Sequence, residues 1–391
     1  MTVTHIGKLV PLEGYRGIAS LIVLLHHYFL AFSPMTTGYL EGLRTPGSLS
    51  GAYYFFMFNG NAAVSFFFVL SGFVLCWSYF NDGDQHRLVK SFVKRFPRLV
   101  FIVTVTTVLS YFLFHFGLYH FADAGLRSGS PWLASFGGAG WTPGFEPGFP
   151  AAFAQGVTTF FTGLSSYNAN LWTMKPEFFG SMIVYMLAGF ISIVLGRRYL
   201  LYSFVVLSIS SLGYNPLIFP FVLGVFLSVR VAQGVRPLPL PVCLILIVFG
   251  LYLLGYVIPE EHYAWASPVP GSVAGTFRTA LHALGSGLII YATLSNERLF
   301  RSMTGRVFVM LGKISFPLYL VHTLVICSLS SATYVALSDE GWTAPAVLIL
   351  VFVVTLAASV AASWPLSRLD DWWVAKVNKA SRKLLTRPEA A

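Results

Sequence analysis

Long apolar runs dominate the chain, and short polar or basic segments separate them. An apolar stretch of about 20 residues is long enough to cross a bilayer as an α-helix. The fifth and sixth runs are short and are joined by Tyr214-Asn215-Pro216. The pattern predicts an all-α integral membrane protein with ten transmembrane helices, at residues 17–33, 61–80, 99–117, 178–195, 199–212, 217–231, 240–257, 277–294, 315–336 and 344–364.

Basic residues are distributed unevenly around these predicted spans. With the amino terminus inside, all but four of the 25 lysines and arginines fall on inner segments, the exceptions being Arg44, Arg127, Lys175 and Arg278. Cytoplasmic segments of membrane proteins carry such an excess of basic residues. We therefore predict that both termini are cytoplasmic.

Composition agrees with a membrane protein. The 391 residues are 56% hydrophobic and only 10% charged, whereas soluble domains carry about 25% charged residues. The net charge of +10 lies mainly on the side that meets anionic lipid. It therefore predicts contact with membrane lipid and not with nucleic acid.

The same pattern divides the chain into a transmembrane domain, residues 1–365, and a basic cytoplasmic tail, residues 366–391. Trp372 and Trp373 lie beside spaced lysines and arginines in the tail, which favours an interfacial helix. Residues 118–170 form a long outer segment rich in glycine, proline and aromatic residues. Segments of this length are unusual unless they are functional or disordered. The aromatic residues favour a folded cap over the outer mouth.

Ionisable residues inside an apolar span are costly and indicate function. Arg16 lies at the cytoplasmic end of the first span and His27 lies inside the span, eleven residues further along. Eleven residues are close to three helical turns, so both side chains share one face, roughly 16 Å apart along the axis. The arginine suits a phosphate group, and the histidine suits proton transfer. The alternative is that His27 is a polar residue satisfied by a neighbouring helix.

Two further groups carry candidate chemistry. Arg95 and Arg98 are three residues apart at the entrance to the third span, where they form either a phosphate site or a plain membrane anchor. Glu177 lies at the outer end of the fourth span and either accepts a proton or orients a histidine, or else pairs with Lys175. His322 lies inside the ninth predicted span, where we expect it to approach His27.

Several of these motifs resemble those of the membrane-bound acyltransferase 3 family. The resemblance extends over nearly the whole chain and keeps the order and spacing of its motifs. It rests on Leu12-Glu13-Gly14-Tyr15-Arg16-Gly17 followed by His27, on Phe67-Phe68-Val69-Leu70-Ser71-Gly72-Phe73, on the pair Arg95 and Arg98, on Leu171-Trp172 to Glu177, and on Leu311-Gly312 through Ser315 to His322.

This resemblance implies an O-acyltransferase that usually takes acetyl-coenzyme A from the cytoplasm. The acceptors that it implies are hydroxyl groups of glycans, lipid-linked sugars or secondary metabolites. By position, it implies that His27 is the essential histidine and that Arg16, Arg95 and Arg98 bind the acyl donor. The segment Thr173-Met174-Lys175-Pro176 replaces the serine-containing block of many members, which leaves the acceptor open.

We therefore expect His27 to act as base or as transient acyl carrier, with Glu177 or His322 tuning it. No metal is predicted, and the expected location is a bacterial inner membrane. The alternative function is a proton-coupled secondary transporter, although the chain shows no paired half-repeats with broken helices.

Overall fold

A computed structural model describes residues 9–45, 47–194 and 197–385 of the chain. The structure is all-helical, about 80% helix, and the described residues contain no β-strand. The α-helices in these ranges are α1 (Val10–Phe32), α2 (Pro34–Thr37), α3 (Gly60–Asp82), α4 (Gln85–His115), α5 (Phe121–Ser128), α6 (Pro131–Ala134), α7 (Phe149–Thr162), α8 (Met174–Val194), α9 (Arg197–Tyr214), α10 (Phe219–Ala232), α11 (Leu240–Gly255), α12 (Gly271–Leu294), α13 (Glu297–Ser302), α14 (Arg306–Val325), α15 (Ser331–Asp339) and α16 (Ala344–Leu385). Short 3₁₀ turns join several of these helices, and one π-helical turn, Ile326–Ser330, joins α14 to α15.

Six helices in the described part of the chain are long and apolar enough to cross a membrane. They are α1, α3, α4, α12, the continuous run Arg306–Asp339, and α16 as far as Arg382. Three shorter apolar helices occupy the regions of the fifth to seventh predicted spans. The all-helical membrane class is therefore confirmed, while the count of ten spans stays a prediction.

The cytoplasmic position of both termini also stays a prediction. Lys8 and Arg387, which entered the charge argument, lie outside the described residues, as do Leu195 and the last part of the tail. Helix α16 continues without a break past residue 365, the predicted end of the transmembrane domain, and reaches Leu385.

The chain divides into two compact units. The first unit comprises Met1–Val23, Leu49–Phe92 and Pro176–Lys313. The second unit comprises Leu24–Ser48, Val93–Lys175 and Ile314–Ala391. The division falls within α1, α4, α8 and α14, so each of these helices contributes residues to both units.

In the first unit, α3 and α10 approach closely through glycines. A Cβ atom on Gly224 would lie 2.8 Å from the Cα of Gly72, and one on Gly72 would lie 2.9 Å from the Cα of Phe221. Small residues allow helix backbones to pack at this distance inside a membrane, where apolar side chains gain little by leaving lipid. Asn59 begins α3 by accepting a hydrogen bond from the backbone N–H of Ala62, at 3.2 Å.

In the second unit, an apolar cluster joins the 118–170 segment to α1 and to the end of α14. Its buried members include Tyr28 and Phe32 of α1, Phe121 and Phe136 of the segment, and Ile326 after α14. Burial raises the pKa of the Tyr119 phenol well above its usual value. The segment is therefore helical and packed, with α5, α6 and α7 inside it; its position over an outer mouth stays a prediction.

Replacement of Gly72 by alanine tests the α3–α10 contact. We expect Gly72→Ala to lower the free energy of unfolding by about 1–3 kcal/mol, because the new methyl group meets backbone atoms that cannot move aside. The matched control is Gly189→Ala in α8, where a Cβ would meet no atom within 4 Å. The control is expected to keep or raise stability, since alanine favours a helix over glycine. Equal thermal unfolding midpoints for the two variants would contradict the proposed packing.

Candidate active site

Two histidines meet in the second unit. His27 on α1 is half-buried and His322 on α14 is fully buried. The Nδ1 atom of His27 lies 2.8 Å from the Nε2 atom of His322, a hydrogen-bond distance. The two rings are nearly parallel, with centroids 5.1 Å apart and planes 14° apart. The structure thus brings together two of the residues that the sequence singles out, one from each end of the chain.

A backbone carbonyl assigns the protons of this pair. The Nδ1 atom of His322 lies 2.9 Å from the carbonyl oxygen of Leu318. Because a carbonyl only accepts, Nδ1 of His322 carries the hydrogen, and in the neutral ring its Nε2 is an acceptor. The Nδ1–H of His27 must then donate to that Nε2. With both rings neutral, Nε2 of His27 is left with the lone pair and is the basic nitrogen.

An aromatic residue of the 118–170 segment covers His27. The indole ring of Trp132 stacks on the imidazole, with centroids 4.8 Å apart and planes 22° apart. Ser130, which caps the short helix α6 by accepting from the Leu133 N–H, donates its hydroxyl hydrogen to the carbonyl of Leu30 at 2.5 Å. This bond ties the start of α6 to the carboxyl-terminal part of α1, the helix that carries His27.

The turn after α6 makes room for Trp132. Phe136, Gly137 and Gly138 have consecutive positive φ angles of 59°, 68° and 80°, which non-glycine residues seldom adopt. The turn brings the Gly138 N–H to the Trp132 carbonyl at 2.9 Å. A Cβ on Gly137 would lie 2.9 Å from the Cγ2 of Thr323 and 3.4 Å from Trp132. Glycine is therefore required at position 137 on two counts.

Two asparagines hold the stretch of α14 just before His322. Asn168 donates from Nδ2 to the Leu320 carbonyl at 2.8 Å, and Asn170 donates to the Tyr319 carbonyl at 2.7 Å. Both asparagines are almost completely buried. Together with the His322 bond to Leu318, side chains thus reach three consecutive carbonyls of α14. The Nδ2 atoms of these buried amides thus fix the orientation of this part of α14, while Oδ1 of Asn170 has no hydrogen-bond partner among the described residues.

The predicted arginine pair lies on α4, also in the second unit. Helix α4 begins at Gln85, well before the predicted start of its span, so both arginines lie inside a helix. Arg95 is buried, with 8% of its surface exposed, whereas Arg98 is exposed. Because the two arginines are three residues apart, their side chains lie on roughly the same side of α4. Each takes part in contacts within the protein.

Arg16 and Glu177 belong to the first unit. Arg16 pairs with Glu13 across one helical turn at 3.6 Å, and both side chains are one-third exposed. The Glu177 carboxylate accepts a hydrogen bond from the Ser71 hydroxyl at 2.7 Å. Glu177 therefore has a described partner in the Phe67–Phe73 motif, whereas the sequence had suggested a histidine or Lys175 as its partner.

Other participants also escaped the sequence analysis. Trp132 stood out only as part of an aromatic segment, and Asn168 and Asn170 lie about 150 positions from the helix that they hold. Ser71 lay within a recognised motif without an assigned role. Among the described residues, no group of three or more His, Cys, Asp or Glu side chains is arranged to hold a metal ion.

Comparison with known proteins gives one match. A family model described as an acyltransferase domain, Acyl_transf_3, matches residues 11–364. No curated protein and no solved structure matches the chain.

The turn beside Trp132 gives a prediction. Gly137→Ala should destabilise the protein more than Gly140→Ala, because both glycines have positive φ angles but only Gly137 has neighbours that a methyl group would strike. The shared left-handed strain costs about 1–2 kcal/mol in each variant, so the difference in unfolding midpoint isolates the contacts with Thr323, Ala169 and Trp132. If Gly140→Ala proves equally destabilising, the close packing at position 137 is wrong.

Proposed function

We propose that this chain, which belongs to the acyltransferase 3 family and is an acyltransferase, transfers a short acyl group such as acetyl. The group moves from acyl-coenzyme A to an acceptor hydroxyl. The acceptor class is a glycan, a lipid-linked sugar or a small metabolite. The family match supports a membrane-embedded transferase; donor and acceptor are part of the proposal.

The single observation that carries the proposal is the direction of the hydrogen bonds through His27. Its Nδ1–H points to His322, so its Nε2 is free to accept a proton. We propose that Nε2 takes the proton of the acceptor hydroxyl while the hydroxyl oxygen bonds to the thioester carbonyl carbon. The carbon–sulfur bond then breaks, and the departing thiolate takes the proton from Nε2. The products are the ester and free coenzyme A, and His27 returns to its neutral form.

His322 orients the base during this step. When His27 gains a proton, the positive ring still donates from Nδ1 to His322, whose own Nδ1–H is bonded to the Leu318 carbonyl. A base held by a third group in this way keeps one tautomer and one orientation. Trp132 covers one face of His27, which limits the access of water to the reacting groups. The alternative that His27 carries the acyl group transiently uses the same nitrogen.

The donor phosphates are assigned to the arginines. Arg98 is exposed and Arg95 lies one turn before it, and guanidinium groups bind phosphate in a bidentate manner. Arg16 shares α1 with His27 and is assigned to the same donor. Glu177, bonded to Ser71, is assigned a supporting role in proton handling.

The proposal includes a direction across the membrane. With ten spans and cytoplasmic termini, the donor reaches the protein from the cytoplasm, and the acceptor arrives from the outer side beneath the 118–170 segment. A bacterial inner membrane is the expected location. The family match lends no support to the secondary-transporter alternative.

Removal of the base gives the first test. His27→Ala is expected to lower acyl transfer by about 100- to 10,000-fold, the usual contribution of a general base. The control is His115→Ala, which removes an exposed histidine from α4. Transfer is measured with labelled acetyl-coenzyme A in membranes that contain the protein, as label incorporated into acceptor material. Full transfer by His27→Ala would contradict the proposed function.

The role of His322 is tested by two replacements. His322→Phe removes the acceptor for the His27 Nδ1–H, and we expect the rate to fall by about 10- to 100-fold, because a buried donor loses its partner. His322→Gln keeps a side-chain oxygen and is expected to retain more activity than His322→Phe. The rates are compared over a range of pH, since a change in the orienting group shifts the pH profile. Equal activity in both variants and the wild type would show that His322 does not orient His27.

A further inference from the structure

Helix α16 is much longer than a helix needs to be to cross a bilayer. The helix contains 42 residues, from Ala344 to Leu385, which corresponds to roughly 60 Å at 1.5 Å per residue. A bilayer core is only about 30 Å thick. The part that follows Pro365, here called the α16 extension (Leu366–Leu385), therefore continues outside the apolar layer.

The α16 extension contacts α4 at its arginine-bearing turns. The indole N–H of Trp373 donates to the carbonyl oxygen of Pro97 at 2.7 Å. The same indole stacks on Phe101, with centroids 4.6 Å apart and planes 20° apart. Further along, the ammonium group of Lys94 donates to Oδ1 of Asn378 at 3.0 Å. Lys94 precedes Pro97 on α4, whereas its partner Asn378 follows Trp373 on α16. The two helices therefore run antiparallel here.

These contacts involve the residues directly before each arginine of the pair. Lys94 directly precedes Arg95, and Pro97 directly precedes Arg98. Pro97 has no N–H and interrupts the backbone hydrogen bonds of α4 at this turn, which allows a helix to bend. The direction of the Arg98 side chain therefore depends on what holds the Pro97 turn. The indole of Trp373 donates to the carbonyl of Pro97 and packs on Phe101, one turn further along α4.

We propose that Trp373 is a positioning residue for the acyl donor. By holding the Pro97 turn, it sets the orientation in which Arg95 and Arg98 meet the donor phosphates. Guanidinium groups bind phosphate with a planar fork, so a small rotation of the helix turn weakens both contacts. This inference rests on the proposed function, because it assumes that the arginines bind a phosphate-bearing donor.

Trp372 provides a matched control. It is adjacent in sequence but 49% exposed, and it carries Lys376 over its ring at 3.9 Å. Its ring lies 6.0 Å from that of Phe101 at a 47° angle, so its contact with α4 is looser. Replacement of either tryptophan by phenylalanine keeps an aromatic ring, but only at position 373 does it remove a hydrogen bond to Pro97.

The experiment measures acetyl-coenzyme A binding to the full chain in lipid nanodiscs, together with KM and kcat for thiol release. We expect Trp373→Phe to raise the Kd and the KM for acetyl-coenzyme A by about three- to tenfold, the effect of one net hydrogen bond, with kcat changed less than twofold. Trp372→Phe is expected to match the wild type. A donor Kd unchanged in Trp373→Phe, an equal rise in both variants, or a loss confined to kcat would overturn the inference.

Asn378 offers an independent check at the other end of the contact. Asn378→Leu removes the acceptor for Lys94 and is expected to raise the Kd for acetyl-coenzyme A, whereas Asn378→Asp keeps an acceptor oxygen and is expected to restore binding. Equal binding by the two variants would count against the inference. If the wild-type protein binds no acetyl-coenzyme A, the proposed donor itself is wrong. If the wild type binds it and Trp373→Phe binds equally well, only the role of Trp373 is wrong.

Discussion

The hydrogen bond between His27 and His322 is the interaction on which the rest of the site depends. It joins α1 to α14 and, through the Leu318 carbonyl, assigns a direction to every proton in the pair. A single backbone acceptor thereby determines which nitrogen of His27 is basic. The chemistry of the site follows from a feature as simple as the inability of a carbonyl oxygen to donate.

The surroundings of α14 keep that arrangement in place. Asn168 and Asn170 bond to the carbonyls of Leu320 and Tyr319, beside the carbonyl that His322 uses. Pro317 lies in the same helix and supplies no N–H for the helix's own hydrogen bonds. Trp132 stacks on His27, and the turn after α6, which has three consecutive positive φ angles, positions Trp132. Buried polar side chains that form such hydrogen bonds stabilise one orientation of the helix over others.

Much of the architecture follows from the sequence because membrane spans impose a strong pattern. Runs of apolar residues located six helices that are long enough to cross a bilayer. The cost of burying an ionisable group drew attention to His27 and His322, and the structure brings them into contact. The shorter apolar helices were harder to interpret, since length is what separates a span from a buried helix.

The partners of these residues were not predictable from spacing along the chain. Trp132 reaches His27 only through the shape of its loop, and the asparagines bond to backbone atoms, which leave no trace in the pattern of side chains. The burial of Arg95 beside an exposed Arg98 was also missed, because the helix that carries them begins earlier than its apolar span and continues into a contact with α16.

The most direct measurement of the central claim is the protonation of the His27 ring, observed by nitrogen NMR of histidine-labelled protein in lipid bilayers. The His27 signals are assigned by comparison with a sample in which this residue is replaced. At neutral pH, we expect a hydrogen on Nδ1 and a bare Nε2. A hydrogen on Nε2 with a bare Nδ1 would contradict this expectation, since a protonated Nε2 is unable to take the proton of the acceptor hydroxyl.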